Sequence, residues 1–205
     1  RTVPVIAAIK QQFPAAVISI DTVKPAVAEA ALQAGASIIN DISGSKADPA
    51  LYQLAAKYNA DLVLMHNSAA GVTVDAQIGG EYQAPASDDI VADVMNELRE
   101  LSARARAAGV AAARIIIDLG LGFGKTVEQN LRLMNELDKF KALGYPVMIG
   151  PSRKSFIGRL MNAPVDQRLE GTAACVAICA ARGANIIRVH DVREMAGVVK
   201  EVTAA

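Results

Sequence analysis

The stretch RIIID, residues 114–118, places three isoleucines in a row between two charged residues. A short apolar run without polar alternation is typical of a parallel strand that is buried on both faces. Five other runs have the same character, and each leads into a segment rich in Ala, Leu and Glu that has the composition of a helix. The six runs are AVISID (16–21), SIIND (37–41), DLVLMH (61–66), RIIID (114–118), PVMIG (146–150) and NIIRVHD (185–191).

Repeated strand–helix units predict a parallel α/β fold, which is either an open doubly wound sheet or a closed barrel. A dinucleotide-binding open sheet needs a glycine-rich turn after its first strand, and no such turn follows residue 21. In barrels, by contrast, the site is built from the carboxyl ends of several strands. We therefore predict a (βα)8 TIM-type barrel, because every run ends in polar residues: Asp21, Asn40, His66, Asp118, Ser152 to Lys154, Arg188 and His190.

The number of units is smaller than a closed barrel requires. Six units are visible, whereas eight close a barrel. A sheet of six strands would leave two unpaired edges, which favour aggregation. We therefore expect residues 1–205 to be a single barrel domain that is N-terminally incomplete, with about six of the eight units present. The opening segment VPVIAAIK (3–10) is predicted to be the helix of a unit whose strand is not in the sequence.

The composition narrows the class of function. The chain has 205 residues, 52% hydrophobic and 20% charged, with no net charge, which fits a soluble domain with one sizeable core and argues against nucleic-acid binding. The longest apolar stretch, GTAACVAICAA (171–181), is too short to span a membrane, and no leader-like segment opens the chain, so a cytoplasmic location is expected. Cys175 and Cys179 are expected to be buried apolar residues rather than metal ligands.

Two polar residues of the last run suggest an anion site. If residues 185–191 form a strand, alternation places Arg188 and His190 on the same face. Arg makes bidentate contacts to phosphate, and His donates to the same kind of group. The alternative is that Arg188 pairs with a neighbouring carboxylate and His190 only fills space.

The segment DLGLGFGKT (118–126) places a carboxylate at a strand end before a glycine-rich loop. The glycines allow the backbone to approach a ligand, but their spacing to Lys125 is not that of a P-loop. An acid that ends a buried strand needs partners, and a ring edge with two adjacent N–H groups would supply them to Asp118. A helix cap or an ion pair is the alternative for Asp118, and a cap is the alternative for Asp21 and for Asn40.

The connection between residues 67 and 88 is unusually long and has no clear period. We expect either a mobile lid over the site or a tolerated surface insertion.

These segments together resemble the dihydropteroate synthase family. The similar segments are SIDTVKP, IINDIS, LMH, DLGLGFGKT, GPSRKSFIG and RVHDV, in this order along the chain. The resemblance implies a (βα)8 barrel transferase of folate biosynthesis and the target of sulfonamides. It would condense 6-hydroxymethyl-7,8-dihydropterin diphosphate with 4-aminobenzoate to give dihydropteroate and diphosphate. A cytoplasmic homodimer is implied, and so is Mg²⁺ as cofactor.

The resemblance also implies roles for individual residues. Asp118, Asn40 and Asp21 would bind the pterin ring, Lys154 would reach its far edge and Met65 would pack on it. Arg188 and His190 would hold the diphosphate, so that Lys154, Arg188 and His190 are the predicted catalytic residues. Phe123, Arg153 and Ser155 would line the aminobenzoate side, and Gly150 is carried over as a further substrate-binding position.

Three features depart from the family pattern. The N-terminal loops that supply the metal ligand and close over the substrates are not in these residues, so no metal ligand is predicted here. Position 119 is Leu where the family usually has Pro, and residues 67–73 lack the usual sequence. The alternatives are therefore a pterin-binding protein without turnover and a pterin-dependent methyltransferase. Arg188 and His190 argue against the methyltransferase, because a methyl donor carries no diphosphate.

Overall fold

The computed structural model describes residues 1–69, 72–75, 79–82 and 84–204. The chain divides into two compact units. The first comprises Arg1–His66 and Glu97–Ile117, and the second comprises Asn67–Asn96 and Asp118–Ala205.

Six strands of the described chain form the larger sheet, in the order β1-β2-β3-β6-β7-β8, and two further strands form a small antiparallel pair. The pairs β1–β2, β2–β3 and β7–β8 are parallel, and Asp21 lies beside Asn40 in the register of the first pair. The strands are β1 (Ser19–Asp21), β2 (Ile38–Asp41), β3 (Asp61–Met65), β4 (Val72–Asp75), β5 (Gly79–Tyr82), β6 (Ile115–Asp118), β7 (Val147–Ile149) and β8 (Ile186–Ile187).

Helices follow the strands of the larger sheet, and a helix also opens the chain, as predicted. They are α1 (Thr2–Gln12), α2 (Pro25–Gln33), α3 (Pro49–Lys57), α4 (Ile90–Ala107), α5 (Val127–Asn135), α6 (Ser155–Met161), α7 (Leu169–Ala181) and α8 (Val192–Ala204).

The strand cores consist of the apolar runs seen in the sequence. Ile39, Leu62 and Ile117 are fully buried, which is the result expected for strands covered on both faces. The predicted strands are confirmed in order and type, although each is shorter than its apolar run.

The last strand corrects one detail of the sequence interpretation. The composition of residues 185–191 predicts an extended chain throughout, but β8 covers only Ile186–Ile187. Arg188 continues the pairing by one hydrogen bond, from its N–H to the Ile149 carbonyl (2.8 Å), and His190 lies beyond the ladder. Strand alternation therefore does not determine where His190 points, because His190 lies between the end of β8 and the start of α8.

The helix boundaries follow the expected local chemistry. α2 begins at Pro25, where the absent N–H costs nothing because the first turn has no intrahelical acceptor for it. α5 begins with a capping box in which the side chains of Thr126 and Gln129 each bond the other residue's backbone N–H. Four glycines that follow helical segments have positive φ angles, which glycine adopts without strain: Gly35, Gly109, Gly144 and Gly183.

The connection between residues 67 and 88 contains the antiparallel pair β4–β5. Residues 70, 71, 76–78 and 83 lie outside the described residues, and the lid stays a prediction.

Cys175 and Cys179 are buried and free on α7, as predicted. Burial raises the pKa of their thiols to about 11 and about 12, so both stay protonated at neutral pH. Among the described helices, none is both long enough and apolar enough to cross a membrane.

Replacing Leu133 of α5 by Ala should lower the free energy of unfolding by about 2–5 kcal/mol, because Leu133 is fully buried and its loss leaves a cavity. Leu160→Ala is the matched control, since Leu160 is 52% exposed on α6. Urea unfolding of both variants followed by circular dichroism measures the difference. Equal losses in the two variants would contradict the assignment of Leu133 to the core.

Candidate functional site

The carboxylate of Asp118 ends β6 and is almost completely buried. Its Oδ1 accepts a hydrogen bond from the Gly120 N–H (2.8 Å). Burial raises the pKa of this carboxyl above its ordinary value, and Lys154, the Gly120 N–H, Lys125 and Arg188 each oppose that rise without cancelling it. Three cations therefore act on one buried acid, and they favour its ionised form.

The glycine-rich loop after Asp118 turns its carbonyl groups toward lysine side chains. Lys125 Nζ donates to the carbonyls of Gly120 (2.8 Å) and Phe123 (3.0 Å), and Lys154 Nζ donates to the Leu121 carbonyl. Gly122 has a φ of 81°, and a Cβ there would lie 2.7 Å from Lys154 Cδ. Glycine at this position therefore lets the lysine stem pass against the backbone.

Lys154 follows β7 and lies against Phe123. Its Nζ is 4.4 Å from the centroid of the Phe123 ring, which is cation–π geometry. Burial lowers the pKa of Lys154 to about 8, with Asp118 acting to raise it and Arg188 acting to lower it. The Lys154 ammonium and the Asp118 carboxylate thus stabilise each other's charged forms.

The turn that carries Lys154 is held by side chains from α7 and from the segment before it. Arg153 has a φ of 58°, a strained value for a residue with a Cβ. Its N–H donates to Thr172 Oγ1 (3.2 Å), and its carbonyl accepts from Arg168 Nη1 (2.9 Å). Both Thr172 and Arg168 are buried, so the conformation of the turn is fixed from inside the unit.

The segment after β8 pairs with the same turn. Ser152 Oγ lies 2.9 Å from His190 Nδ1 and accepts from the His190 N–H (3.2 Å). The Arg153 guanidinium forms a two-pronged ion pair with the Asp191 carboxylate, with Nε donating to Oδ2 at 3.0 Å. Arg153, which was predicted to line the aminobenzoate side, is therefore engaged by Asp191.

The first unit contains three of the predicted site residues. Asn40 Nδ2 donates to Asp21 Oδ2 (3.2 Å), so this acid and amide at neighbouring strand ends contact each other. Asn40 is buried, and its Oδ1 has no hydrogen-bond partner among the described residues. Met65 is buried at the end of β3.

The remaining predicted residues lie in the second unit. Gly150 follows β7, and a Cβ there would make ordinary contact with Arg188, 3.8 Å from its carbonyl oxygen. Ser155 is the first residue of α6. The structure therefore brings Asp118, Phe123, Lys154 and Arg188 into one group, and it links His190 to this group through Ser152.

Within the part of the chain that the structure describes, no group of three or more His, Cys, Asp or Glu side chains could hold a metal ion. The described residues therefore do not offer the acidic cluster of a dedicated Mg²⁺ site.

Comparison with known proteins identifies the family. The model of the pterin binding enzyme family matches residues 1–190. The chain belongs to this family. It is 47% identical over 195 residues to the dihydropteroate synthase of Clostridium beijerinckii, an alignment that covers 95% of this chain and 67% of that relative. The chain thus spans about two thirds of the length of this relative.

Solved structures agree with this assignment. A dihydropteroate synthetase with a bound product superposes with a TM-score of 0.89 at 36% identity, over 98% of this chain and 71% of that one. The Xanthomonas albilineans dihydropteroate synthase with 4-aminobenzoic acid gives 0.87 at 37% identity, over 98% and 72% of the two chains. The predicted resemblance and the TIM-type barrel fold are confirmed, and the relatives support dihydropteroate synthase as the function.

Sequence reasoning missed the residues that support the site. The sequence pattern presents Lys125 only as a lysine with the wrong spacing for a P-loop, and it gives no role to Asn130, Thr172 or Arg168. Asn130 is fully buried in a polar helix, and a polar residue on the inner face of a helix was the available signal.

Replacing Asp118 by Asn should lower the pKa of Lys154 below its present value of about 8, because the nearby negative charge that favours the ammonium form is lost. The loss of an opposite charge a few ångström away typically changes a pKa by about 1–3 pH units. ¹³C NMR of the Lys154 Cε signal between pH 5 and 11 measures the midpoint. Asp138→Asn, at an exposed position of the same unit, is the control. An unchanged or higher midpoint in Asp118→Asn would show that the two groups are not coupled.

Proposed function

We propose that the protein condenses 6-hydroxymethyl-7,8-dihydropterin diphosphate with 4-aminobenzoate, giving 7,8-dihydropteroate and diphosphate. The observation that carries the proposal is the buried carboxylate of Asp118 with Lys154, Lys125 and Arg188 around it, in a chain of the pterin binding enzyme family. The bound 4-aminobenzoic acid in the X. albilineans relative supports the choice of acceptor.

The pterin ring is assigned to Asp118 and Lys154. A pterin presents a 2-amino group and a ring N–H side by side, and a buried carboxylate accepts from both. Lys154 offers donors to the ring's acceptor edge. We also assign Asp21, Asn40 and Met65 to ring binding. The buried Asn40 Oδ1 supports its assignment, because a ring donor would satisfy an acceptor that has no partner among the described residues.

The leaving diphosphate is assigned to Arg188 and His190. A guanidinium stays charged at every physiological pH and bonds phosphate oxygens in pairs. Contact of Ser152 Oγ with His190 Nδ1 orients the imidazole and leaves Nε2 available to the anion.

The aminobenzoate is assigned to Phe123, Arg153 and Ser155, with Gly150 beside them as a further substrate-binding position. Because Arg153 is paired with Asp191, we assign its contribution to the packing of its stem rather than to a free charge.

The reaction needs charge stabilisation rather than a strong base. The C–O bond between the pterin methylene and the diphosphate breaks, and its electron pair leaves with the diphosphate. The amine nitrogen of aminobenzoate forms the new C–N bond and releases one proton to solvent. Cations aimed at the leaving group and a positioned amine supply most of what this reaction requires. Lys154, Arg188 and His190 are accordingly the proposed catalytic residues.

Several finer properties are carried only by the resemblance to the family. We propose Mg²⁺ as a cofactor whose ligands are not among the described residues, and we propose a cytoplasmic homodimer that sulfonamides inhibit. No step of the reaction is assigned to the metal.

The proposal is tested by 4-aminobenzoate-dependent release of diphosphate from the pterin diphosphate by the 205-residue chain, with added Mg²⁺. We expect release that requires the amine and that is lost in Lys154→Met. Folding of both chains is checked by circular dichroism. A folded chain that binds the pterin diphosphate without releasing diphosphate would support the binding protein without turnover.

Replacing Arg188 by Ala should weaken binding of the pterin diphosphate far more than binding of the plain pterin, because only the first ligand carries the anion. A hydrogen bond between charged groups contributes about 1.5–3 kcal/mol, so a difference of about ten- to a hundredfold between the two affinity losses is expected. Isothermal titration calorimetry with both ligands measures the two affinities. Arg182→Ala, at an exposed arginine of the same unit, is the control. Equal losses for the two ligands would contradict the anion role of Arg188.

A further inference from the structure

Lys125 is a buried cation that the proposed chemistry does not use. It is only 6% exposed, although its ammonium group is costly to remove from water. Its Nζ donates to the carbonyls of Gly120 (2.8 Å) and Phe123 (3.0 Å), which lie on both sides of the turn 120–123. A methionine would fill similar volume without this cost, so packing alone does not account for a lysine here.

Lys125 is connected through Gly120 to Asp118, the proposed pterin-binding acid. Gly120 accepts from Lys125 through its carbonyl and donates to Asp118 Oδ1 through its N–H (2.8 Å). The same glycine is therefore held by the lysine and aimed at the carboxylate. Phe123, the second residue that Lys125 holds, is the one that lies against Lys154.

Asn130 completes the support of the loop from α5. This fully buried side chain accepts from the Gly122 N–H (2.7 Å) and donates to the carbonyls of Lys125 (3.3 Å) and Thr126 (2.7 Å). Lys125 thus extends from a backbone that is itself fixed, and its ammonium group has a defined position.

We propose that Lys125 is a positioning residue of the pterin site. Its ammonium group holds the carbonyls of Gly120 and Phe123, and it supplies positive charge beside the Asp118 carboxylate. The inference rests on the proposed function for its ligand, but its electrostatic part concerns the free protein.

Three cations face Asp118 within the second unit, and their contributions differ with pH. Lys154 acts on Asp118 most strongly and has a pKa of about 8, while Arg188 stays charged and acts least. Lys125 acts between these two in strength. Lys125 therefore favours the ionised form of the carboxylate together with Lys154, and it also holds the loop at the carbonyls of Gly120 and Phe123.

Two substitutions separate the charge of Lys125 from its hydrogen bonds. Lys125→Met removes both, whereas Lys125→Gln removes the charge and keeps an amide donor for the carbonyls. Lys139→Met is the control, because Lys139 is an exposed residue of the same unit that pairs with Glu136. The first measurement is ¹³C NMR titration of the Asp118 carboxyl in the ligand-free protein, and the second is the affinity for 6-hydroxymethyl-7,8-dihydropterin as a function of pH.

Both Lys125 variants should move the Asp118 titration to higher pH, by about 1–3 pH units for the loss of a nearby opposite charge, and the control should not. Below the new midpoint, pterin affinity should fall about tenfold for each further drop of one in pH, because the ionised acid is required. Well above the midpoint, the Gln variant should bind the pterin more tightly than the Met variant, because its amide still holds the loop.

An unmoved Asp118 titration in both folded variants would overturn the proposal, and so would equal pterin affinities for the Gln and Met variants at high pH. If neither variant folds, the reciprocal measurement decides. The Lys125 Cε signal should titrate at lower pH in Asp118→Asn than in the wild-type chain, and an unchanged midpoint would refute the coupling. Failure of the wild-type chain to bind the pterin contradicts the proposed function, whereas the titration still decides the role of Lys125.

Discussion

The site is organised around one buried carboxylate, whose charged form is disfavoured by burial and favoured by the groups around it. Removing the Asp118 carboxylate from water costs several kcal/mol unless charges and donors compensate for it. The compensation comes from Lys154, the Gly120 N–H, Lys125 and Arg188, which are brought to β6 by the loop that follows it and by the ends of β7 and β8. This is the property of parallel strands that a barrel site uses, since their carboxyl ends place side chains from distant parts of the sequence around one group.

The glycine-rich loop that follows Asp118 also makes the burial of charge at this site possible. Three of its carbonyls, those of Gly120, Leu121 and Phe123, accept from the two lysine side chains. Such a turn needs positive φ angles at Gly120, Gly122 and Gly124, which residues with a Cβ adopt only at a cost. The loop therefore lowers the cost of burying two ammonium groups beside the acid, and the ammonium groups in turn hold the loop closed. The loop and the two ammonium groups thus stabilise each other.

The sequence predicted the strands and the helix that opens the chain because these follow from local patterns, and it named four residues that the structure groups: Asp118, Phe123, Lys154 and Arg188. Uninterrupted apolar runs indicate buried parallel strands, and the acid that closes RIIID is therefore expected at a strand end. The supporting residues could not be found in this way. Thr172 and Arg168 form hydrogen bonds to the backbone of Arg153, which lies 19 and 15 residues away in the sequence. Because every residue has a backbone carbonyl, the sequence does not show which of them a distant side chain will bond. The length of β8 was overestimated for a related reason: RVHD has the composition of a strand, whereas His190 instead contacts the Ser152 side chain of the turn after β7.

Under the proposed function, the titration of Lys154 explains why a lysine is assigned to the pterin ring and an arginine to the diphosphate. The Lys154 ammonium group, with a pKa of about 8, is partly neutral just above physiological pH, so it is a poor choice for neutralising a diphosphate under all conditions. The proposal assigns it to the ring instead, where it would donate a hydrogen bond while the Asp118 carboxylate favours its protonated form. A guanidinium has no accessible neutral form, and Arg188 lies after β8, where it is more exposed than Lys154. In the proposed reaction, the permanent charge of Arg188 would lie where negative charge develops as the leaving group departs. The ammonium group of Lys154, whose charge changes with pH, would lie at the ring, which has hydrogen-bond donors and acceptors of its own.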